Sequence, residues 1–200
     1  DWRNQGHLTL SDYTVRIPEP DDDPELEETR KIILQAGPDK IAAFCLETIS
    51  GANGVYIPGA KWWNGIQKLC AEFGIKLILD EVVCGFYRTG RAFGFLHFPV
   101  KPDFICMAKA ISGGYVPFGA LWVSDECAHS YDDKILSCGL TNYAHPLGLA
   151  ALSGVLTLTS SSEFQNKLRN LIPHFSNQLN ELRELSEVTT IRHIGMLAAI

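Results

Sequence analysis

Ile75-Lys76-Leu77-Ile78-Leu79-Asp80-Glu81 is an almost unbroken apolar run that ends in two acids. Apolar residues at successive rather than alternate positions fit a strand of a parallel sheet, buried on both faces. A second segment of the same kind stands upstream, Ile41-Ala42-Ala43-Phe44-Cys45-Leu46-Glu47, and it runs into the glycine-rich loop Ser50-Gly51-Ala52-Asn53-Gly54. Between them, after Pro58-Gly59, the residues Trp62/Trp63, Ile66, Leu69/Cys70 and Phe73 recur at helical spacing until Gly74. Strand, helix and strand within about 40 residues make a βαβ unit with a right-handed crossover and parallel strands. That unit places Glu47 and Asp80 at the same edge of one sheet.

Two more segments extend the sheet. Asp103-Phe104-Ile105-Cys106-Met107-Ala108 runs into Lys109, and Phe118-Gly119-Ala120-Leu121-Trp122-Val123 follows the turn Ser112-Gly113-Gly114. Open α/β sheets bind ligands outside the carboxyl ends of their strands, so Glu47, Asp80 and Lys109 stand where a site is expected. Before the first strand, residues 1–24 are polar, and Asp21-Asp22-Asp23 reads as a solvated linker or helix lead-in. Glu25 to Gln35 reads as a helix closed by Gly37-Pro38. Towards the other end, Pro146 opens a helix over Leu147–Thr159. Ser160 with Glu163 forms a capping-box pattern for a further helix with the stripe Phe164, Leu168, Leu171/Ile172, Phe175, Leu179 and Leu182. Pro173 is expected to kink it. Short strands are predicted over Val188–Arg192 and Met196–Ile200, so the chain divides into residues 1–154 and the start of a smaller α+β domain over 155–200. Asp1 in place of Met and an apolar strand pattern still running at Ile200 make a chain truncated at both ends the expectation.

Composition narrows the function. The chain of 200 residues has a formal net charge of −6, which offers no electrostatic footprint for nucleic acid or an anionic membrane. Its longest apolar run, Ile41 to Leu46, is far short of the roughly 20 residues that cross a bilayer. Six cysteines, at 45, 70, 84, 106, 127 and 138, show no CxxC pair, and the histidines have no metal-ligand spacing, so no metal site is expected. A reducing, intracellular setting follows, with Cys45, Cys70 and Cys106 acting as small apolar residues. Gly85-Phe86-Tyr87-Arg88-Thr89-Gly90-Arg91-Ala92 has the glycine spacing of a P-loop but carries Arg91 and Ala92 where lysine and a hydroxyl are needed. No GxGxxG follows a strand, and no serine has a GxSxG context.

A lysine after a strand is most often a solvated loop residue, and an acid after one most often ends it. Together, an amine and a carboxylate at one sheet edge suit a chemistry in which lysine forms a Schiff base with an aldehyde cofactor while the acid keeps the cofactor's pyridine nitrogen protonated. A long stretch supports that pairing. Asp80-Glu81-Val82-Val83-Cys84-Gly85-Phe86-Tyr87-Arg88-Thr89-Gly90, Phe93-Gly94-Phe95, Pro102-Asp103 and Met107-Ala108-Lys109-Ala110-Ile111-Ser112-Gly113-Gly114-Tyr115-Val116-Pro117 together resemble the cofactor-binding region of class III pyridoxal-phosphate aminotransferases. The resemblance reaches back to Glu47-Thr48-Ile49-Ser50-Gly51 and forward to Thr141-Asn142-Tyr143-Ala144-His145-Pro146.

The resemblance implies a fold-type-I α/β architecture: most of a large pyridoxal-phosphate domain, with a mostly parallel sheet flanked by helices, and the start of a small C-terminal domain. It implies transamination between an amine or amino acid and a 2-oxo acid, in a homodimer with shared sites in the cytoplasm or an organelle matrix. Lys109 then holds the cofactor and moves the proton, Asp80 pairs with the pyridinium nitrogen, and Val82 packs on a ring face, a role compatible with ordinary core valine. Val83 lies near the ring hydroxyl, and Thr141 reaches the phosphate of the neighbouring subunit's cofactor. Glu47 resembles the acid that gates substrate access by pairing with an arginine. Arg192 resembles an arginine of the small domain, while the family's phosphate cup and its carboxylate-gripping arginine are expected before Asp1 and after Ile200. Tyr87 stands where the family usually has glycine, and Thr48 and Ser50 also depart from its pattern. Within the same cofactor class, an aminomutase, decarboxylase or racemase is the alternative, and an inactive fragment is the non-enzymatic one.

Overall fold

The structure is a computed structural model and describes residues 13–200. The polar lead-in before Tyr13 therefore lies outside the described residues.

Four strands, β1 (Ala43–Glu47), β2 (Lys76–Asp80), β3 (Phe104–Met107) and β4 (Ala120–Val123), form one sheet in chain order. β1 and β2 are parallel, with Glu47 opposite Asp80, and β2 and β3 are parallel, with Asp80 opposite Cys106. β4 returns antiparallel to β3, with Met107 opposite Ala120. The mostly parallel sheet is thus present, with the predicted strands shortened by a residue or two at their ends.

One face of the sheet is packed. Helix α2 (Ala60–Phe73) buries Trp62, Trp63, Ile66, Leu69 and Cys70 in a cluster with Phe44, Leu77 and Leu79, joined by Ile33 of α1 (Glu27–Ala36). The stripe read from the sequence is this face, and each fully buried aliphatic side chain on it stabilises by about 1.5–3 kcal/mol. Gly74 ends α2 in the left-handed conformation, φ +67°, and donates its N–H to the Cys70 carbonyl.

The opposite face differs from expectation. Strand alternation puts Cys45, Ile78, Asp80, Phe104, Cys106 and Leu121 there. Cys45 and Leu121 are exposed, so β1 is not buried on both sides and Cys45 is not a core residue. Among the described residues β1 is an edge strand of the sheet. Of the two readings of the acidic run, solvated linker or helix lead-in, the second holds at its last residue. Asp23 is buried, and its carboxylate accepts from the Thr29 N–H and hydroxyl, both at 2.7 Å, and from the Glu28 N–H at 3.3 Å, so it caps the start of α1.

Beyond β4, α3 (Asp125–His129) is followed by α4 (Pro146–Ser160) and α5 (Ser162–Glu181). The cap of α5 is Ser161, not Ser160: its hydroxyl accepts from the Phe164 N–H at 3.2 Å. Ser160 is still helical, whereas Ser161 has the extended backbone, φ −71° and ψ 143°, that turns a side chain back onto the first turn. α5 runs through Pro173 as one helix. The last two strands are β5 (Arg192–Ile194), which shares only Arg192 with the strand predicted over Val188–Arg192, and β6 (Leu197–Ala199), shorter than predicted, paired antiparallel about Gly195-Met196. Val188 instead turns back to the Leu185 carbonyl, and the Ile191 carbonyl accepts from Arg183.

Candidate active site

Parallel strands end at a common rim, and β1, β2 and β3 deliver Glu47, Asp80 and the approach to Lys109 to that rim. Asp80 is half-buried at the end of β2; its Oδ1 accepts from the Val82 N–H at 2.9 Å, which fixes the carboxylate over the turn. The chain after it is held as firmly. The Glu81 N–H donates to the Cys106 carbonyl at 2.9 Å, and the Glu81 carbonyl accepts from Gly85 at 2.8 Å.

Lys109 lies three residues beyond Cys106, the partner of Asp80. It is exposed, opens the short 3-10 turn Lys109–Ser112, and has φ +51°. A left-handed backbone costs a residue with a Cβ about 1–2 kcal/mol, and such strain collects at functional positions. The turn that imposes it is closed by the Ser112 hydroxyl, which donates to the Val116 carbonyl at 2.7 Å. Among the described residues neither Lys109 nor Asp80 has an ion-pair partner.

The remaining sequence candidates lie at different depths. Val82 is half-buried directly after the two acids, and the Val83 side chain presses on Gly51 beside the buried cluster of Ile49, Val55 and Cys84. Glu47 accepts the Gly51 N–H at 2.7 Å and so closes the turn after β1. It also lines a cavity of about 780 Å³ with Tyr13–Pro20 and Tyr56, but neither Asp80 nor Lys109 lines that cavity. Thr141 is exposed in the irregular segment before α4. Arg192 donates its Nε–H to the Gly54 carbonyl at 2.7 Å and lies 4.4 Å over the Tyr56 ring, pinning the loop after Glu47. Among the described residues no group of three or more His, Cys, Asp or Glu is placed to hold a metal.

Two residues of the rim were given no role by the sequence reading. Glu81 and Thr48 are both buried, and the Thr48 hydroxyl donates to the Glu81 carboxylate at 2.6 Å. Burial pushes the Glu81 carboxyl above its ordinary value; bonds from Thr48, Gly94 and Phe95 oppose that, and the Asp80 charge adds to it. The signal available in the sequence was the doubling of acids after an apolar strand.

Comparison with known proteins decides the family. The model of the aminotransferase class-III family matches residues 4–200. The chain belongs to that family. It is 33% identical over 98% of its length to a chloroplastic gamma aminobutyrate transaminase 3 of Solanum lycopersicum, of which it covers 37%. It is 34% identical over 87% of its length to a putrescine–pyruvate aminotransferase of Pseudomonas aeruginosa, covering 39% of it. Among solved structures, an (S)-enantioselective omega-transaminase from Thermomicrobium roseum matches 85% of this class III chain with a TM-score of 0.78 and 34% identity, over 38% of its own length. A taurine:2-oxoglutarate aminotransferase from Bifidobacterium kashiwanohense, in complex with PLP and glutamate, matches 94% with a TM-score of 0.82 and 30% identity, over 43% of its own length. The chain thus spans well under half the length of these relatives. The class III chain has the α/β architecture of fold-type-I transaminases, and its family uses pyridoxal phosphate.

The family's usual glycine at position 87 has a physical counterpart here. Tyr87 has φ +69°, a backbone that glycine adopts without penalty. Its ring packs against Phe164 of α5 at 5.6 Å, and its hydroxyl accepts from Gln165 at 3.3 Å, contacts that offset the strain.

Proposed function

We propose that this chain is the cofactor-holding part of a transaminase that moves an amino group from an amine or amino acid to a 2-oxo acid. Bound pyridoxal phosphate supplies an aldehyde that condenses with amines and a ring that draws electrons from the adjoining carbon. The chain's own residues fit that group: a lysine and a carboxylate without ion-pair partners among the described residues, on neighbouring parallel strand ends. Lys109 Nζ would hold the cofactor and carry the proton. Asp80 would accept a hydrogen bond from the pyridine nitrogen, Val82 would lie against the ring, and Val83 near its hydroxyl. Thr141 would reach the phosphate held by a second copy in a homodimer, and Glu47 would gate substrate access. The names of relatives, which include putrescine–pyruvate and gamma aminobutyrate enzymes, support an aliphatic amine or amino acid as donor.

Residues 1–154 would belong to the large domain and 155–200 to the small one, with the division inside α4. No described helix is long and apolar enough to cross a membrane. Relatives named as mitochondrial and chloroplastic support an organelle matrix, with the cytoplasm as the alternative.

The observation that carries the reading is the pairing of Asp80 with Cys106, three residues before Lys109. In the full-length protein, borohydride reduction followed by peptide mapping should place the cofactor on Lys109, and Lys109→Ala should abolish the adduct. An adduct that persists on another lysine overturns the assignment. Conversion of the cofactor to its amine form by an amino donor supports transfer, and release of carbon dioxide refutes it.

A further inference from the structure

Glu81 is 1% exposed, yet its carboxylate is fully engaged. Oε1 accepts from the Thr48 hydroxyl at 2.6 Å and from the Phe95 N–H at 2.8 Å, and Oε2 accepts from the Gly94 N–H at 2.7 Å. All three bonds reach parts of the chain that are distant in sequence. Thr48 directly follows Glu47 at the end of β1, Glu81 directly follows Asp80 at the end of β2, and Gly94 and Phe95 lie in the loop that connects β2 to β3. The Glu81 main chain adds the bond to Cys106 of β3. One buried side chain therefore fastens the ends of β1 and β2 and the loop from β2 to β3, immediately behind both rim acids.

The surroundings are shaped for it. A Cβ at Gly94 would lie 3.3 Å from each Glu81 oxygen and 2.8 Å from the Cys84 Cβ, and one at Gly85 would lie 2.9 Å from the Glu81 carbonyl oxygen. No side chain fits at these positions without displacing the acid or its loop. An acid is also the group that satisfies this cradle. An amide presents one N–H₂, which would face the Gly94 N–H in one orientation and the Phe95 N–H in the other, donor against donor in either case.

We propose that Glu81, bonded to Thr48, is a positioning residue that holds Asp80 and Glu47 in register at the rim, so that Asp80 meets the cofactor's pyridine nitrogen. The inference rests on the assignment of Asp80 and Lys109 to cofactor binding. It separates from a role in folding alone because, among the described residues, the Asp80 side chain has one hydrogen bond, from Val82, and takes its position from the backbone that Glu81 anchors.

The test uses the full-length protein with pyridoxal phosphate and compares Thr48→Val, Thr48→Ser and Glu81→Gln. Thr48→Val keeps the shape and removes the donor, whereas Thr48→Ser keeps the donor. Thr48→Val should weaken cofactor binding about tenfold or more and shift the visible band of the bound cofactor, as a buried acceptor loses its bond beside Asp80. Glu81→Gln should move both in the same direction, and Thr48→Ser should restore both. An affinity and band unchanged in Thr48→Val, whatever its thermal stability, overturns the inference, as does a Thr48→Ser variant impaired as much as Thr48→Val. The Lys109→Ala reduction experiment reports separately on the cofactor assignment.

Discussion

Replacing Gly195 by alanine tests how the β5–β6 hairpin is seated on the loop that follows the rim. Gly195 is the first of the two turn residues and has φ +58°, the position that hairpin turns of type II′ reserve for glycine. A Cβ there would lie 2.2 Å from the Thr89 carbonyl carbon, 2.5 Å from its oxygen and 2.6 Å from the Gly90 nitrogen. These are backbone atoms, so no rotamer change relieves the overlap. The left-handed backbone costs alanine about 1–2 kcal/mol, and forced overpacking about 1–3 kcal/mol more. Together, a loss of about 2–5 kcal/mol is expected, borne by detachment of the hairpin from Arg88–Gly90. The bond that reports on it is the Met196 N–H to the Arg88 carbonyl, 2.9 Å. Hydrogen exchange on the full-length protein should show Met196 protection reduced by at least about 30-fold, since 1.36 kcal/mol is a factor of ten. Arg192, which holds Gly54 and Tyr56 from the same hairpin, should loosen with it. Met196 protection within about threefold of the parent, with an unchanged melting temperature, would refute this packing argument.

Other perturbations read other parts of the fold. Gly94→Ala should destabilise by about 1–3 kcal/mol in denaturant titration because its Cβ meets Cys84 and the Glu81 oxygens, while Gly139→Ala, with open space around it, should be neutral. Asp23→Ala should cost about 1–2 kcal/mol near neutral pH through the lost cap of α1. Burial raises the Asp23 carboxyl, but the bonds from Thr29, Glu28 and Glu27 outweigh it and hold the value below the usual 3.8. Its contribution is thus present above the unfolded value and fades as pH falls through the folded one, so parent and variant should converge in denaturant midpoint in acid. Burial pushes Cys70 and Cys84 up to about 12 from 9.0. At about pH 8 this leaves roughly a thousandfold fewer thiolates, so both should resist iodoacetamide in the native protein and react after unfolding, as peptide mass spectrometry would show.

The elements legible in the sequence were those whose pattern is local. The α2 stripe and the apolar runs of β1 to β3 depend on spacing within a few residues, and the structure has them where they were read. What failed depended on partners. Cys45 sits in an apolar run and was taken for core, but whether a strand face is covered depends on what packs on it, and among the described residues no buried cluster includes Cys45. The run ending at Asp23 read as a solvated linker or a helix lead-in, and the choice is made by Thr29 six residues later, which offers both a backbone and a hydroxyl donor. Ser160 and Ser161 are chemically equal, and the choice of cap between them is made by where α4 stops.

The pair Asp80-Glu81 carries the same lesson at the site. Alternation along β2 sends Leu77 and Leu79 into the core and Asp80 to the other face, where one of its carboxylate oxygens has no hydrogen-bond donor among the described residues. One residue later the alternation returns to the face of Leu77 and Leu79, so the second acid turns inward and is enclosed. A buried carboxylate without partners is costly enough to force neutralisation or unfolding. Here three donors meet its two oxygens, and the Thr48 hydroxyl comes from the residue after Glu47, so enclosure of Glu81 requires β1 and β2 to end in this register. A slip of one residue would move Thr48 off the carboxylate and turn Asp80 away from Glu47 together. The available acid and the enclosed one are therefore coupled: the register that satisfies Glu81 is the register that leaves Asp80 at the rim beside the strand leading to Lys109.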